Sequence, residues 1–312
     1  MAVCHELRFV GVEEDPPVSD WIETYRGSVF RWEVDHNDHL TVAYYFARFG
    51  DAALGLLETV GLGPTYGERS GRGCVTADCY VRFRRELRGG DIMHMASGVI
   101  DVEPDAVILG HTLLNSATGE VCSTVEQRLR HVALEGLAPL PLTPEQRRAV
   151  ERWGVRWDGE PRELRPRPRT LEGFHDTARD TVKPSELDVL GQGALSAYIL
   201  RFSAANGHAI AAFGMTPHYM RTERRGFSTF EFQLALDGVL RPGDPVRVRS
   251  ALLHVGNSSM RMLHVMTSEP SGKHLATLEQ LGVHLDWDAR RSTPLPDAIR
   301  DKARATLVPT AD

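Results

Sequence analysis

Cysteine is scarce in this chain of 312 residues, and the four present, Cys4, Cys74, Cys79 and Cys122, form no CxxC pair. A chain this long needs no disulfide scaffold, so reduced thiols in a cytosol are expected. Long apolar runs are missing too. The most apolar stretch, Leu195 to Gly214, is interrupted by Arg201, Asn206 and His208, which a membrane span would have to bury in hydrocarbon. The opening residues, MAVCHELRFVGVEED, turn acidic before an apolar segment forms, so no secretion signal is expected. There is no basic block. The 36 Lys and Arg against 42 Asp and Glu give a formal charge of −6, without the positive footprint of a general nucleic-acid binder. No GxGxxG or P-loop stands between a strand and a helix. His36, His39, His254 and His264 lack zinc-type spacing to Cys or carboxylates. The expectation is a cytoplasmic globular protein that uses no metal or redox cofactor and binds neither nucleic acid nor membrane.

What the sequence does contain is a duplication. LRGGD at 87–91 reappears as LRPGD at 240–244, and TVEQ at 124–127 as TLEQ at 277–280, both after 153 residues. The same shift pairs Tyr45 with Tyr198, Arg48-Phe49 with Arg201-Phe202, Gly61 with Gly214 and Tyr66 with Tyr219. A constant offset over more than a hundred residues means two gapless copies. The chain divides into a first unit at 1–148, a linker at 149–177 and a second unit at 178–312. The linker, with its Pro- and Arg-rich ERWGVRWDGEPRELRPRPRT, reads as an extended connector with solvated arginines.

Both copies share one plan. A strand (25–34; second copy 179–187) leads through a polar turn into a helix. In the first copy Val42, Tyr45, Phe46, Phe49, Ala53, Leu56, Leu57 and Val60 fall at three- and four-residue steps. Alternating β segments follow near 74–86, 91–102, 105–115 and 120–133. An antiparallel sheet must wrap around such a helix to bury it, which makes the fold α+β. Two fused units resemble a dimer made into one chain, and homo-oligomers of such fused pairs are expected.

The turn before the first helix reads Val34-Asp35-His36-Asn37-Asp38-His39-Leu40. Its D-x-N-x-H pattern gathers a carboxylate, an amide and an imidazole ahead of a helix N-terminus. The unpaired N–H groups there, near Val42 and Ala43, favour a developing oxyanion. A carboxylate beside them can serve as base or nucleophile. Alone, Asp35 could be a turn cap; the triple at two-residue spacing favours chemistry.

Three segments, WEVDHNDHLTVAYYFARFGDA, VTADCYVRFRRELRGGD and CSTVEQRLRHV, resemble the hotdog-fold acyl-CoA and acyl-ACP thioesterases. The similarity is greatest to the betainyl-CoA branch and extends more distantly to the plant acyl-ACP enzymes. The second unit follows the same frame more loosely, so the resemblance implies a tandem, or double, hotdog acting on an acyl-CoA, with coenzyme A entering as part of the substrate. It carries the principal catalytic role onto Asp35, the orienting roles onto Asn37 and His39, a second carboxylate onto Asp78 and a hydroxyl partner onto Thr76. Period-2 alternation puts Thr76 and Asp78 on one strand face. Tyr44, with Trp32 nearby, is a candidate to hold a cationic head group, whereas Tyr45 reads as core. The repeated Glu126-Gln127 and Glu279-Gln280 read as a buried polar pair.

The second copy departs from the pattern. Its turn keeps Asp188 but replaces Asn by Leu190 and His by Gln192, and Glu231 stands where Asp78 does. One working site, around Asp35, is expected, with Asp188, Gln192 and Glu231 marking a possible second. Two alternatives stay open. A hotdog enoyl-CoA hydratase is one, although that family spaces its Asp and His one residue further apart; a non-catalytic acyl-binding or assembly protein is the other.

Overall fold

The computed structural model describes residues 21–310. Cys4 and the opening segment read above for a secretion signal lie outside them. The first unit contains β1 (Ile22–Ser28), α1 (Val42–Thr59), α2 (Pro64–Ser70), β2 (Arg72–Phe83), β3 (Ile92–Val102), β4 (Ala106–Asn115), β5 (Val121–Ala133) and α3 (Pro144–Glu151). The second unit contains β6 (His175–Thr181), α4 (Leu195–Ala212), α5 (Pro217–Glu223), β7 (Arg225–Leu236), β8 (Pro245–Val255), β9 (Ser259–Ser268), β10 (His274–Asp286), β11 (Arg291–Ser292) and α6 (Asp297–Ala305). Leu195 follows Val42 by the 153 residues seen in the sequence, and β7 follows β2 by the same interval. Gly90 and Gly243 occupy equivalent turns just before β3 and β8 at φ +97° and +87°, a backbone shape that L side chains rarely adopt.

The described strands form one antiparallel sheet in the order β1-β3-β4-β5-β2-β7-β10-β9-β8-β6, with β11 on β10. The units are joined where β2 pairs with β7, from Asp78 opposite Ala235 to Arg82 opposite Glu231. Both long helices contribute to a shared core, and the far end of each packs into a further cluster of its own unit. Phe46 and Phe49 of α1, Ile199 and Phe202 of α4, and Cys79, Val81, Phe232 and Leu234 of the seam strands belong to the shared core. This is the tandem hotdog. Among the described residues no helix is long and apolar enough to cross a membrane.

Some elements differ from the sequence reading. The first strand of each unit stops early and a 3-10 turn follows, Arg31–Glu33 and Pro184–Glu186. A carboxylate curls the chain: Glu33 accepts the Phe30 N–H at 3.0 Å and Glu186 the Lys183 N–H at 2.7 Å. Helices α2, α3, α5 and α6 were not anticipated. Three of them start on proline, which pre-sets the first helical turn.

The alternation argument for Thr76 and Asp78 fails at a β-bulge. Thr76 lies opposite Leu129 and Asp78 opposite Arg128, leaving Ala77 as the extra residue. An extra residue reverses the facing of the strand beyond it. Thr76 therefore stays inside, accepting a hydrogen bond from Gln127 Nε2 at 2.7 Å, while Asp78 turns outward. A matching shift skips Phe230 in β7, between Thr229 and Glu231.

The linker meets those outward carboxylates. Residues 155–174 form no helix or strand, as their prolines dictate, but the arginines are not simply solvated. Arg162 grips Asp78 through two bonds of 2.8 Å. Arg165 reaches Glu231 at 2.5 Å and Glu279 at 3.4 Å, Arg167 reaches Glu279 at 2.8 Å, and Arg82 holds Glu231 at 2.5 Å. The side chains of Glu231 and Glu279 are only 1% exposed. Burial would raise the pKa of Glu231, but Arg165, Gln233 and Arg82 together hold it below the usual carboxylate range.

On the inner face each unit repeats a polar chain. Thr24 meets Ser97 and Ser97 meets His111, each at 2.6 Å; Thr177, Ser250 and His264 do the same at 2.6 Å. In the second unit the chain continues from His264 to Gln280 at 3.2 Å and from Gln280 to Thr229 at 2.7 Å. In the first unit His111 and Gln127 face each other in the same way, and His111 Nε2 and Gln127 Oε1 have no other partner among the described residues. Burial pushes His111 and His264 down to about 4.

Candidate active site

The Asp35 turn is closed by its own backbone, with the Asp35 N–H donating to His39 O at 2.9 Å and the Asp38 N–H to Asp35 O at 3.0 Å. Asp38 accepts a φ of +60° to complete it. Within this frame Asp35 Oδ1 accepts the Asn37 N–H at 2.8 Å, and Oδ2 accepts Asn37 Nδ2 at 3.2 Å. His39 Nδ1 stands 3.3 Å from Asp35 Oδ1. The Asp35 side chain is 22% exposed and that of His39 14%, so both remain open to solvent.

Helix α1 starts just beyond. Its N-cap, Thr41, makes no side-chain cap bond, and among the described residues the N–H groups of Val42 and Ala43 meet no acceptor. The turn thus places a fixed carboxylate and an imidazole beside free donors at the positive end of an 18-residue helix. Asp35, Asn37 and His39 come together as the pattern suggested.

The second unit completes the turn. Trp287 Nε1 donates to Asn37 Oδ1 at 2.6 Å, and an Arg290 N–H donates to Asn37 O at 2.9 Å while the same guanidinium grips Glu86. Asn37 is 4% exposed. Its amide is committed to Asp35 on one side and Trp287 on the other, so it positions the carboxylate. Gly226 leaves room for this contact, since a Cβ there would overlap both Asn37 Oδ1 and Trp287 Nε1.

Other candidates lie elsewhere. Asp78 is held by Arg162 on the outer face, and no bond or ion pair joins it to Asp35. Glu231 is buried among Arg82, Arg165 and Gln233, away from the Asp188 turn. Tyr44 presents its ring to the Arg48 guanidinium at 5.5 Å. Trp32, 72% exposed, stacks on Phe30 at 4.5 Å, so Tyr44 and Trp32 form no joint cage. Asp188 accepts the N–H groups of Leu190 and Gln192 at 2.8 and 3.1 Å, and desolvation raises its pKa. Among the described residues no amide or imidazole side chain bonds to it.

A cavity of about 570 Å³ opens at this second turn, lined by Asp188, Leu190 and Gln192 together with Thr76, Ala77 and Gln127 of the first unit. Thr76 thus faces the turn of Asp188, because in a fused pair the strand of each unit walls the site of the other.

Trp287, Arg290 and Gly226 escaped the sequence reading, being some 190 to 250 residues from the turn they complete. One signal was present. The repeat puts Leu134 and Leu137 where Trp287 and Arg290 stand, just as it puts Leu190 in place of Asn37.

Fold and turn together define a double hotdog with one polar turn site. Residues 29–150 and again 182–303 match the thioesterase-like superfamily, and the chain belongs to that family. A curated relative from Rhizobium sp, an L-carnitine dehydrogenase/betainyl-CoA thioesterase, is 28% identical over 99 residues, which is 32% of this chain and 20% of that protein. The chain therefore spans only part of the length of this relative. In fold it resembles the 12:0-ACP thioesterase from Umbellularia californica, with a TM-score of 0.65 at 12% identity over 83% of this chain and 93% of that one. An acyl-ACP thioesterase from Bacteroides thetaiotaomicron also superposes with a TM-score of 0.65 at 12% identity, over 83% and 96% of the two chains.

Proposed function

We propose that the protein hydrolyses an acyl-CoA thioester to a carboxylic acid and free coenzyme A at the Asp35 turn. The observation that carries this reading is the Asp35 carboxylate, held by Asn37 and His39 ahead of the unpaired N–H groups of Val42 and Ala43. The thioester carbonyl accepts from those N–H groups, which stabilise the charge that grows on its oxygen. Asp35 takes a proton from water as the water oxygen attacks the carbonyl carbon. The C–S bond then breaks, the proton passes to the departing sulfur, and Asp35 returns to its ionised form. His39 stands within reach of the same carboxylate oxygen to share that proton. Membership of the thioesterase-like superfamily and the betainyl-CoA thioesterase activity named for its relative support the reading.

The test is thiol release from a panel of short, long, aromatic and betainyl acyl-CoAs, with acyl carrier protein thioesters alongside. Release from the CoA panel is expected. Release from carrier-protein thioesters alone would overturn the choice of thiol, and no release from a folded protein would overturn the reaction.

A further inference from the structure

The cavity beside Asp188 is not part of the Asp35 site: it lies against the other turn, between α1, β2 and the start of α4. We propose that it is a separate, non-hydrolytic binding site for the acyl chain of a thioester. Its size falls within the ordinary range for small-molecule pockets, and such pockets are mostly apolar with a few convergent polar groups. The walls follow that plan. Phe46, Leu57, Leu129, Leu190 and Leu236 supply apolar surface.

Part of the space follows from a substitution within the repeat: Cys74 on the cavity's strand corresponds to the buried Phe227 on the strand facing Asp35. Gly50 lines the cavity with nothing within 4 Å of where a Cβ would sit.

Two polar features point to an uncharged head group. The N–H groups of Leu195 and Ser196, at the uncapped start of the 18-residue α4, meet no acceptor among the described residues, and both residues line the cavity. They suit a thioester carbonyl. Gln127, only 1% exposed, also lines the cavity as a neutral amide, its nitrogen donating to the lining Thr76 hydroxyl. A free carboxylate is disfavoured beside Asp188, whose pKa is already raised by desolvation. Turnover is not expected, because Leu190 and Gln192 replace the amide and imidazole that organise Asp35. The identity of the ligand as a thioester rests on the function proposed above; the site itself does not.

The experiment is calorimetric titration of the full chain with S-(2-oxoundecyl)-CoA, a thioether that keeps a carbonyl but cannot be hydrolysed, and separately with decanoate. Wild type should bind two thioether molecules per chain, and decanoate should bind the second site at least about tenfold more weakly. Gly50→Phe should lose one thioether site while keeping thiol-release kcat within about twofold. Cys74→Phe, which restores the buried residue of the other copy, serves if Gly50→Phe does not fold. A single site in wild type, or two sites retained in the filled variant, overturns the proposal. A fall in kcat/KM of more than about tenfold in Gly50→Phe also overturns it, by making the cavity part of the Asp35 reaction. Decanoate binding as tight as the thioether overturns the head-group assignment. If no thioester is cleaved but the filled variant still loses a thioether site, the hydrolase reading falls and the binding site stands.

Discussion

Asn37 decides how Asp35 is presented, and Trp287 decides how Asn37 is presented. The indole N–H bonded to Asn37 Oδ1 leaves the amide nitrogen facing the carboxylate, so a change 250 residues away in sequence should register at Asp35. Replacing Trp287 by Phe removes that donor and leaves a buried acceptor unpaired, at a cost of about 1–2 kcal/mol. We expect Trp287→Phe to lower kcat by about tenfold with little change in KM, and to do nothing further in an Asn37→Leu background. Independent, multiplying losses in the double variant would contradict the coupling. The turn itself was legible because its three side chains lie within five residues. Its completion was not, because only the folded sheet brings the end of β10 and the start of β7 to Asn37.

Among the elements, the two helices and the sheet strands were legible from periodicity, since apolar spacing records which face is buried. The bulge at Ala77 was not. It needs one unpaired residue in a strand whose composition looks regular, and it moved Asp78 from the site to the linker. The inner polar chains belong to this scale too. In the unfolded chain His111 and His264 take up a proton near 6.5, but in the fold only near about 4. Their folded pKa values are depressed, so the stability they contribute is complete above pH 6.5 and is lost as pH falls toward 4. Each histidine accounts for at most about 3 kcal/mol of that loss. Urea midpoints should fall steadily from pH 7 to pH 5, and equal midpoints across that range would contradict the burial of neutral imidazoles.

At the scale of the whole molecule, fusion has let the two sites diverge. A homodimer of identical hotdogs would carry the same turn and the same wall twice, whereas here Asn37 faces Trp287 and Leu190 shares a cavity with Leu137. The linker that makes the fusion also braces it. Arg165 joins carboxylates of β7 and β10, Arg162 holds β2, and the seam runs between β2 and β7. Removing one partner from a buried ion pair costs about 3–5 kcal/mol because a charge is left uncompensated. Arg165→Ala should therefore lower unfolding stability by about 3 kcal/mol while leaving thiol release within a few-fold, the loss being softened by Arg82 and Arg167. Denaturant unfolding unchanged from wild type would show that the linker arginines do not brace the seam. The sequence could show the duplication and the linker, but not that the linker arginines have buried partners, since these come from strands on both sides of the seam.

The most direct test of the account compares thiol release by Asp35→Asn and Asp188→Asn on the acyl-CoA that wild type cleaves fastest. Asp35→Asn should lose about two or more orders of magnitude in turnover, and Asp188→Asn should stay within a few-fold of wild type. Loss of turnover in Asp188→Asn with activity kept in Asp35→Asn would place the chemistry at the other turn and contradict the account.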